Sequence, residues 1–464
     1  MNRNLAIKLG VIGVLIMLLM IPLLLIGGMV SDRQALRDGV LADIARSSSA
    51  AQALTGPLLV VPYRKTVREW KTHEKTAERY LEEREYRGRL YFLPERFELN
   101  GHIATEQRSR GIYQARLYHS DNQISGHFQL PAQYGISEDY ADYRFEPAFL
   151  SVGISDIRGI ENDLKLRFNG SELAFAAGSA DRLLSSGVHA PLPALDSVNG
   201  QRLDFAFDLK LQGTAQLSVT PLGRETLVQL SSDWPHPSFI GEFLPVTREV
   251  SATGFSARWQ TSFFATNFAE ALDDCVSRDD CRAFNSREFG VSFVDPVDQY
   301  LKTDRAIKYA LLFIALTFAG FFLFEVLKRL AVHPVQYGLV GLALALFYLL
   351  LLSLSEHLPF ATAYGVAASV CVALLGVYLA GVLHSALRGG VFAASLAALY
   401  ALLYGLLSAE DYALLMGSLL VFGLLAGVML LTRKLDWYAL GKPAWSLACW
   451  RSAHADRQSG EPPC

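Results

Sequence analysis

Charge is missing from the C-terminal third of this 464-residue chain. From Ala306 to Lys442 only twelve residues are Asp, Glu, Lys or Arg, set in small groups between long apolar runs. A wholly soluble fold needs a wetter surface than that, so one is excluded. Cysteine is scarce too: five residues are too few for a disulfide scaffold. There is no surplus of basic charge. A formal net charge of −3 gives no footprint for nucleic acid, so none is expected as a partner. G-x-S-x-G, H-E-x-x-H, Walker and C-x-x-C patterns are all absent. No catalytic, cofactor-binding or metal-ligating residue is assigned, and no cofactor is expected.

What is present divides sharply. About 20 mostly apolar residues cross a bilayer core. Six segments qualify: Leu9–Val30, Ala306–Leu327, Val335–Leu354, Phe360–Leu383, Val391–Ser408 and Tyr412–Thr432. The first reads as an uncleaved signal anchor, because its run exceeds the usual h-region and no A-x-A site precedes Ser31. Basic residues set the orientation. Arg3 and Lys8 precede the first span, Lys328 and Arg329 follow the second, Arg388 follows the fourth, and Arg433 and Lys434 follow the sixth. The short loops around Glu356-His357 and Glu410-Asp411 carry none. Arg305 and Lys308 excepted, the bias leaves both termini in the cytoplasm of a multi-pass protein of the bacterial inner membrane.

The expected layout is therefore an N-terminus and signal-anchor helix over 1–30 and a periplasmic β-rich domain over 31–305. A five-helix transmembrane bundle over 306–432 and a cytoplasmic tail over 433–464 follow. The fold class is an α+β membrane protein: an N-terminal transmembrane helix, a large all-β, sandwich-like periplasmic domain and a C-terminal bundle of five transmembrane helices.

Ser31–Gln52 reads as a helix leading out of the membrane, and Leu58–Tyr63 as a buried strand. Ile112–Tyr118 and Gln123–Leu130 flank Ser120-Asp121-Asn122, a predicted hairpin turn; Asn169-Gly170 is the strongest hairpin signal. Leu203–Leu211, Thr214–Thr220 and Glu225–Leu230 read as a meander. Val67–Glu85 is charged throughout and reads as a long hairpin loop or a polar helix. Regular short strands with Gly and Pro turns point to a sandwich or barrel-like fold.

Few residues stand out chemically. Cys275 and Cys281 close a short acidic loop and are the candidate disulfide; two unpaired surface thiols are the alternative. Glu356, His357, Glu410 and Asp411 form a candidate cluster at the outer interface, with plain interfacial capping as the blander reading. Glu325 lies three residues before Lys328, and a local ion pair explains it. His119 and His127 flank the predicted hairpin, but two histidines do not make a zinc site. Trp234-Pro235-His236-Pro237-Ser238-Phe239 reads as a buried turn. Gly423-x-x-x-Gly427 favours close helix packing.

Several stretches taken together are similar to a known family. They are Gly56-Pro57-Leu58-Leu59-Val60-Val61-Pro62-Tyr63; Arg110-Gly111-Ile112-Tyr113 running to Tyr118-His119-Ser120; and Trp234-Pro235-His236-Pro237-Ser238-Phe239 through Phe243-Leu244-Pro245. The longest runs from Phe289-Gly290-Val291 and Pro296-Val297-Asp298 through Arg305-Ala306-Ile307-Lys308 and Phe321-Phe322-Leu323-Phe324-Glu325 to Ser355-Glu356-His357. In this order they resemble the CreD family of inner-membrane proteins. The resemblance implies a part in cell-envelope integrity, in a two-component carbon-source and envelope-stress response, and in the response to β-lactams. It carries no catalytic residues. The expected function is thus non-enzymatic support of the envelope, with the lipid bilayer and a periplasmic protein or envelope component as partners. A transporter or lipid-handling protein using the bundle is the first alternative, and an unrecognised periplasmic hydrolase the second.

Overall fold

In the computed structural model, residues 3–72, 79–278, 281–293, 298–328, 332–408 and 413–433 are described. The chain divides into two units, Arg37–Pro296 and Met1–Leu36 with Val297–Cys464. A long apolar helix, a large β-sheet domain and a set of C-terminal helices make it a mixed α and β protein.

The helix α1 (Arg3–Ser47) runs unbroken through Pro22. The first strands are β1 (Gln52–Thr72), β2 (Arg79–Phe92), β3 (Arg96–Arg110), β4 (Tyr113–Leu130), β5 (Tyr143–Phe145) and β6 (Phe149–Ile154). Then come β7 (Lys165–Phe168), β8 (Ser171–Ala174), β9 (Ala176–Ala177), β10 (Gly187–Pro191), β11 (Gln201–Thr214) and β12 (Gln216–Thr220). The last are β13 (Glu225–Ser232), β14 (Pro237–Gly241), β15 (Thr247–Ser251), β16 (Gly254–Ser262) and β17 (Phe289–Phe293). Three short helices, α2 (Phe263–Thr266), α3 (Phe268–Arg278) and α4 (Arg282–Ser286), precede β17.

Period-two alternation builds the sandwich. In β11, Leu203, Phe205, Phe207, Leu209 and Leu211 are buried while Asp204, Asp208 and Lys210 face out. The first sheet has the order β14-β17-β12-β1-β6-β10-β9, with β2 and β5 also paired to β1; the second is β15-β16-β13-β3-β4-β11-β7-β8. β1 runs parallel to β12, and β3 to β13. Leu59, Val61, Leu150 and Val291 of the first sheet share one core with Phe97, Phe128, Phe205 and Trp259 of the second. Trp259 stacks on Phe289 across it, ring centroids 5.3 Å apart.

Leu58 and Val60 point the other way, into a second layer with Phe268, Leu272, Cys275 and Phe284. The unbroken run Leu58–Val61 is thus buried on both faces, which is why it does not alternate. Cys275 and Cys281 are joined in a disulfide that ties the end of α3 to the start of α4 in this layer.

Two expectations are corrected and one alternative is decided. No turn forms at Ser120-Asp121-Asn122, because β4 runs straight through it. Ser120 and Asn122 are buried, and their side chains donate to the carbonyls of Leu211 and Leu209, both at 3.1 Å. Buried hydrogen bonds satisfy these polar residues instead of a turn. The meander over 203–230 does not exist either: β11 and β13 lie apart in the second sheet and β12 lies in the first. Alternation specifies a buried face but not which sheet supplies it. The stretch 67–85 is a hairpin in its described part, since β1 and β2 pair from Leu59↔Phe92 out to Thr72↔Arg79. Asn169-Gly170 does turn the chain between β7 and β8, with Gly170 at φ 84°.

The second unit holds α5 (Gln299–Lys308), α6 (Ala310–Lys328), α7 (Pro334–Ser355), α8 (Phe360–Val382), α9 (Ala386–Ser408) and α10 (Ala413–Thr432). Among the described residues α1, α7, α8 and α9 are long and apolar enough to cross a membrane. The expected second span differs: α5 and residues 310–323 of α6 form a pair bent by 45°. Lys302, Asp304, Arg305 and Lys308 make α5 polar, so the apolar stretch proper begins only with α6. Ile12, Leu19, Leu23 and Ile26 of α1 pack into one core with Phe318, Leu344 and Tyr348. A Cβ on Gly341 would lie 2.3 Å from Leu19 Cδ1, so glycine is what lets α7 approach α1 this closely.

Candidate functional site

Two charged groups on α1 each find a carboxylate on the C-terminal helices. The Lys8 Nζ donates to Glu325 Oε1 of α6. Glu325 is nearly fully buried; it also accepts from Tyr337 Oη at 2.9 Å and from the Val332 backbone N–H at 3.2 Å. Arg33 Nε lies 3.4 Å from Glu356 Oε1, and Tyr300 Oη donates to the same oxygen at 3.3 Å. Lys8 and Arg33 are 25 positions apart, or about 37 Å along a helix. That lies between the ~30 Å hydrocarbon thickness and the ~40 Å with headgroups. The two pairs therefore clasp α1 to its neighbours at opposite ends of a membrane-length stretch.

Glu325 is paired across 317 residues with Lys8, a partner the sequence did not suggest; the side chain of Lys328, the expected local partner, lies outside the described residues. Helix α1 delivers a cation to the carboxylate, and Tyr337 and the Val332 N–H satisfy its other lone pairs. Of the expected outer-interface cluster, Glu356 is held by Arg33 and Tyr300 while His357 is exposed. Glu410 and Asp411 lie outside the described residues.

The helical unit also contains a polar thread. Tyr364 Oη donates to the Tyr400 carbonyl at 2.7 Å, and Tyr400 Oη to Cys371 Sγ at 3.3 Å. Tyr348 Oη is buried and unpartnered. No charged group stands among these residues.

Among the described residues of the β-sheet unit the one deeply buried acid is Asp181. It accepts from Arg89 at 2.5 Å, Tyr91 Oη at 3.1 Å and the Leu183 N–H at 2.8 Å. Burial and the adjacent carboxylate push the Tyr91 phenol up to about 12. Arg89 and Asp181 border an open cavity of about 620 Å³ with Ser179, Ser185 and Ser186. The arrangement offers charge-assisted hydrogen bonds but no nucleophile activated by a neighbouring base. His119 and His127 sit eight residues apart on one strand, so about 26 Å separates them. His119 contacts Glu161 at 3.0 Å and Glu106 at 3.2 Å instead. Among the described residues no group of three or more His, Cys, Asp or Glu could hold a metal ion. Sequence reasoning missed the Lys8–Glu325 and Arg33–Glu356 clasps and the Asp181 group, whose partners are remote in the chain.

Membrane-length apolar helices and a clasped first span describe a multi-pass membrane protein, and comparison with known proteins agrees. A family model described as inner membrane protein CreD matches residues 4–438. The chain is 40% identical over 432 residues to inner membrane protein CreD of Escherichia coli strain K12, covering 92% of each. It belongs to the CreD family. It is accordingly a multi-pass inner-membrane protein in contact with the lipid bilayer. Among solved structures, a Legionella pneumophila protein described as nutrient binding matches 47% of this chain and 82% of its own. At 8% identity and a TM-score of 0.19 that likeness carries no inference about this chain.

Proposed function

We propose that this member of the CreD family supports the integrity of the cell envelope and its response to stress, without catalysing a reaction. Its β-domain stands in the periplasm as an interaction module, and both termini lie in the cytoplasm. One observation carries this reading: the sandwich has an open edge. β15 is the terminal strand of the second sheet and is exposed along its whole length. Leu244 and Val246, just before it, are 70% and 66% exposed, and Val250 within it is 52% exposed. Such an edge offers unpaired backbone groups and apolar side chains to an extended partner segment. The orientation is supported by Arg3, Lys8, Arg388 and Arg433, which fall on one side if the termini are cytoplasmic.

The test is complementation of a strain lacking the protein, with barrier permeability under envelope stress as the readout. Leu244→Asp with Val246→Asp is expected to abolish rescue and to release a co-purifying envelope component, with the chain still present in the membrane. Full rescue by that variant would overturn the interaction module. A reporter at Ser231 that is active only in the cytoplasm would overturn the orientation.

A further inference from the structure

The outward side of α8 and α9 carries a groove of about 500 Å³. Ala361, Gly365 and Ala368 wall it on α8, and Ala397, Ala401 and Tyr404 on α9. The alanines and the glycine leave the space; a Cβ on Gly365 would meet nothing within 4 Å. The floor is aromatic, made by Tyr364 and Tyr400. Their hydroxyls are already committed, to the Tyr400 carbonyl and to Cys371 Sγ, so the floor has no free donor to offer. A ligand resting on it meets ring carbon and methyl groups, and the hydroxyls of Ser369 on α8 and Tyr404 on α9 are the polar groups of the walls.

We propose that this groove binds one acyl chain of a membrane lipid, drawn from the leaflet at the Glu356 end of the helices. Length selects this occupant. On α8 the lining runs from Ala361, in the first turn, to Val372 at mid-helix, eleven residues or about 16 Å. On α9 it runs from Ala397 at mid-helix to Tyr404, one turn before the end. The groove is therefore about half of the ~30 Å hydrocarbon core in depth, the span of one leaflet. Another membrane-crossing helix would call for a groove along the whole of α8 and α9, and this one stops half-way. The surrounding surface selects lipid too. Val366, Val370 and Leu374 of α8 are each about half exposed, so in the inner membrane the groove is continuous with the lipid-facing surface. Tyr404, 36% exposed at the mouth, has the apolar body and polar tip that suit the headgroup boundary.

The experiment reconstitutes the full chain in bilayers containing phosphatidylethanolamine with a diazirine in one acyl chain, then maps photo-adducts by peptide mass spectrometry. Adducts on residues 361–372 and 397–404 of the unsubstituted protein should exceed those on the equally exposed stretch 374–381 several-fold. Gly365→Leu and Ala401→Phe, which fill the groove from opposite walls, should erase that excess while the protein elutes unchanged. Even labelling along α8 in the unsubstituted protein would overturn the proposal, whatever the variants do. So would undiminished labelling in a filled, monodisperse variant. A disulfide between two copies carrying Ser369→Cys would likewise overturn it, by making the occupant a second chain.

Discussion

The two units treat charge in opposite ways. On the β-sheet unit ion pairs are numerous and wet: Arg68–Glu83 at 2.8 Å and Lys165–Glu172 at 2.7 Å have all four side chains more than half exposed. Among the described residues of the helical unit, Asp304–Lys308 is a wet pair of the same kind, but Glu325 and Glu356 show only 6% and 11% of their side chains. Exposed pairs in water contribute between nothing and about 1 kcal/mol, whereas a buried carboxylate stripped of its partner costs several. The β-domain is therefore held by its apolar core and is indifferent to individual surface pairs. The helical unit, whose apolar side chains gain little by leaving lipid, relies on specific polar contacts and close packing to fix α1.

This contrast can be attacked in order of expected effect. Trp259→Ala should cost the β-domain about 4 kcal/mol, read by denaturant unfolding of the full chain, because a fully buried ring stacked on Phe289 is lost. A loss below about 1 kcal/mol would mean that the shared core does not dominate. Lys8→Met should destabilise the helical unit by about 3 kcal/mol in detergent, leaving Glu325 buried without its cation. Cys275→Ala with Cys281→Ser should cost about 2 kcal/mol in the oxidised protein through loop entropy, and less in a reduced sample, where only the packing of the buried Cys275 side chain is lost. Arg68→Ala should change stability by less than about 1 kcal/mol; a larger loss would break the comparison from the other side.

The smallest effect concerns pH. Hydrogen bonds that the protonated His119 ring donates to Glu161 first, and then to Glu106, raise its pKa above the ordinary value. A raised folded-state pKa contributes stability that is fully present below the unfolded value near 6.5. It is lost as pH climbs through the raised folded value. His119→Gln should therefore narrow the stability gap between mildly acidic and alkaline buffers, measured as the midpoint of thermal unfolding at each pH. An unchanged gap would show that the pair is fully screened.

What could be read from the sequence was whatever is local. Apolar runs gave the helices, alternation gave strands such as 203–211, and Asn169-Gly170 gave its hairpin. Register between remote strands was not legible. Nothing in Leu54 announces that it lies beside Val219 in a parallel ladder. Ser120 and Asn122 misled because turn-forming residues and buried hydrogen-bonding residues share the same chemistry. The Lys8 partner of Glu325 was not legible because it arrives on a helix 317 positions earlier, while a cation three residues away already offers a local explanation. The acyl groove escaped notice because alanine and glycine at helical spacing are ordinary packing residues until the volume beside them is seen.

The most direct test is a double-mutant cycle on Lys8→Met and Glu325→Gln, followed by thermal unfolding of the detergent-solubilised full chain. The clasp predicts that the double variant is at least about 1 kcal/mol more stable than the sum of the single losses, since neither buried charge is then left alone. Single losses that simply add would contradict it and leave that end of α1 held by apolar packing.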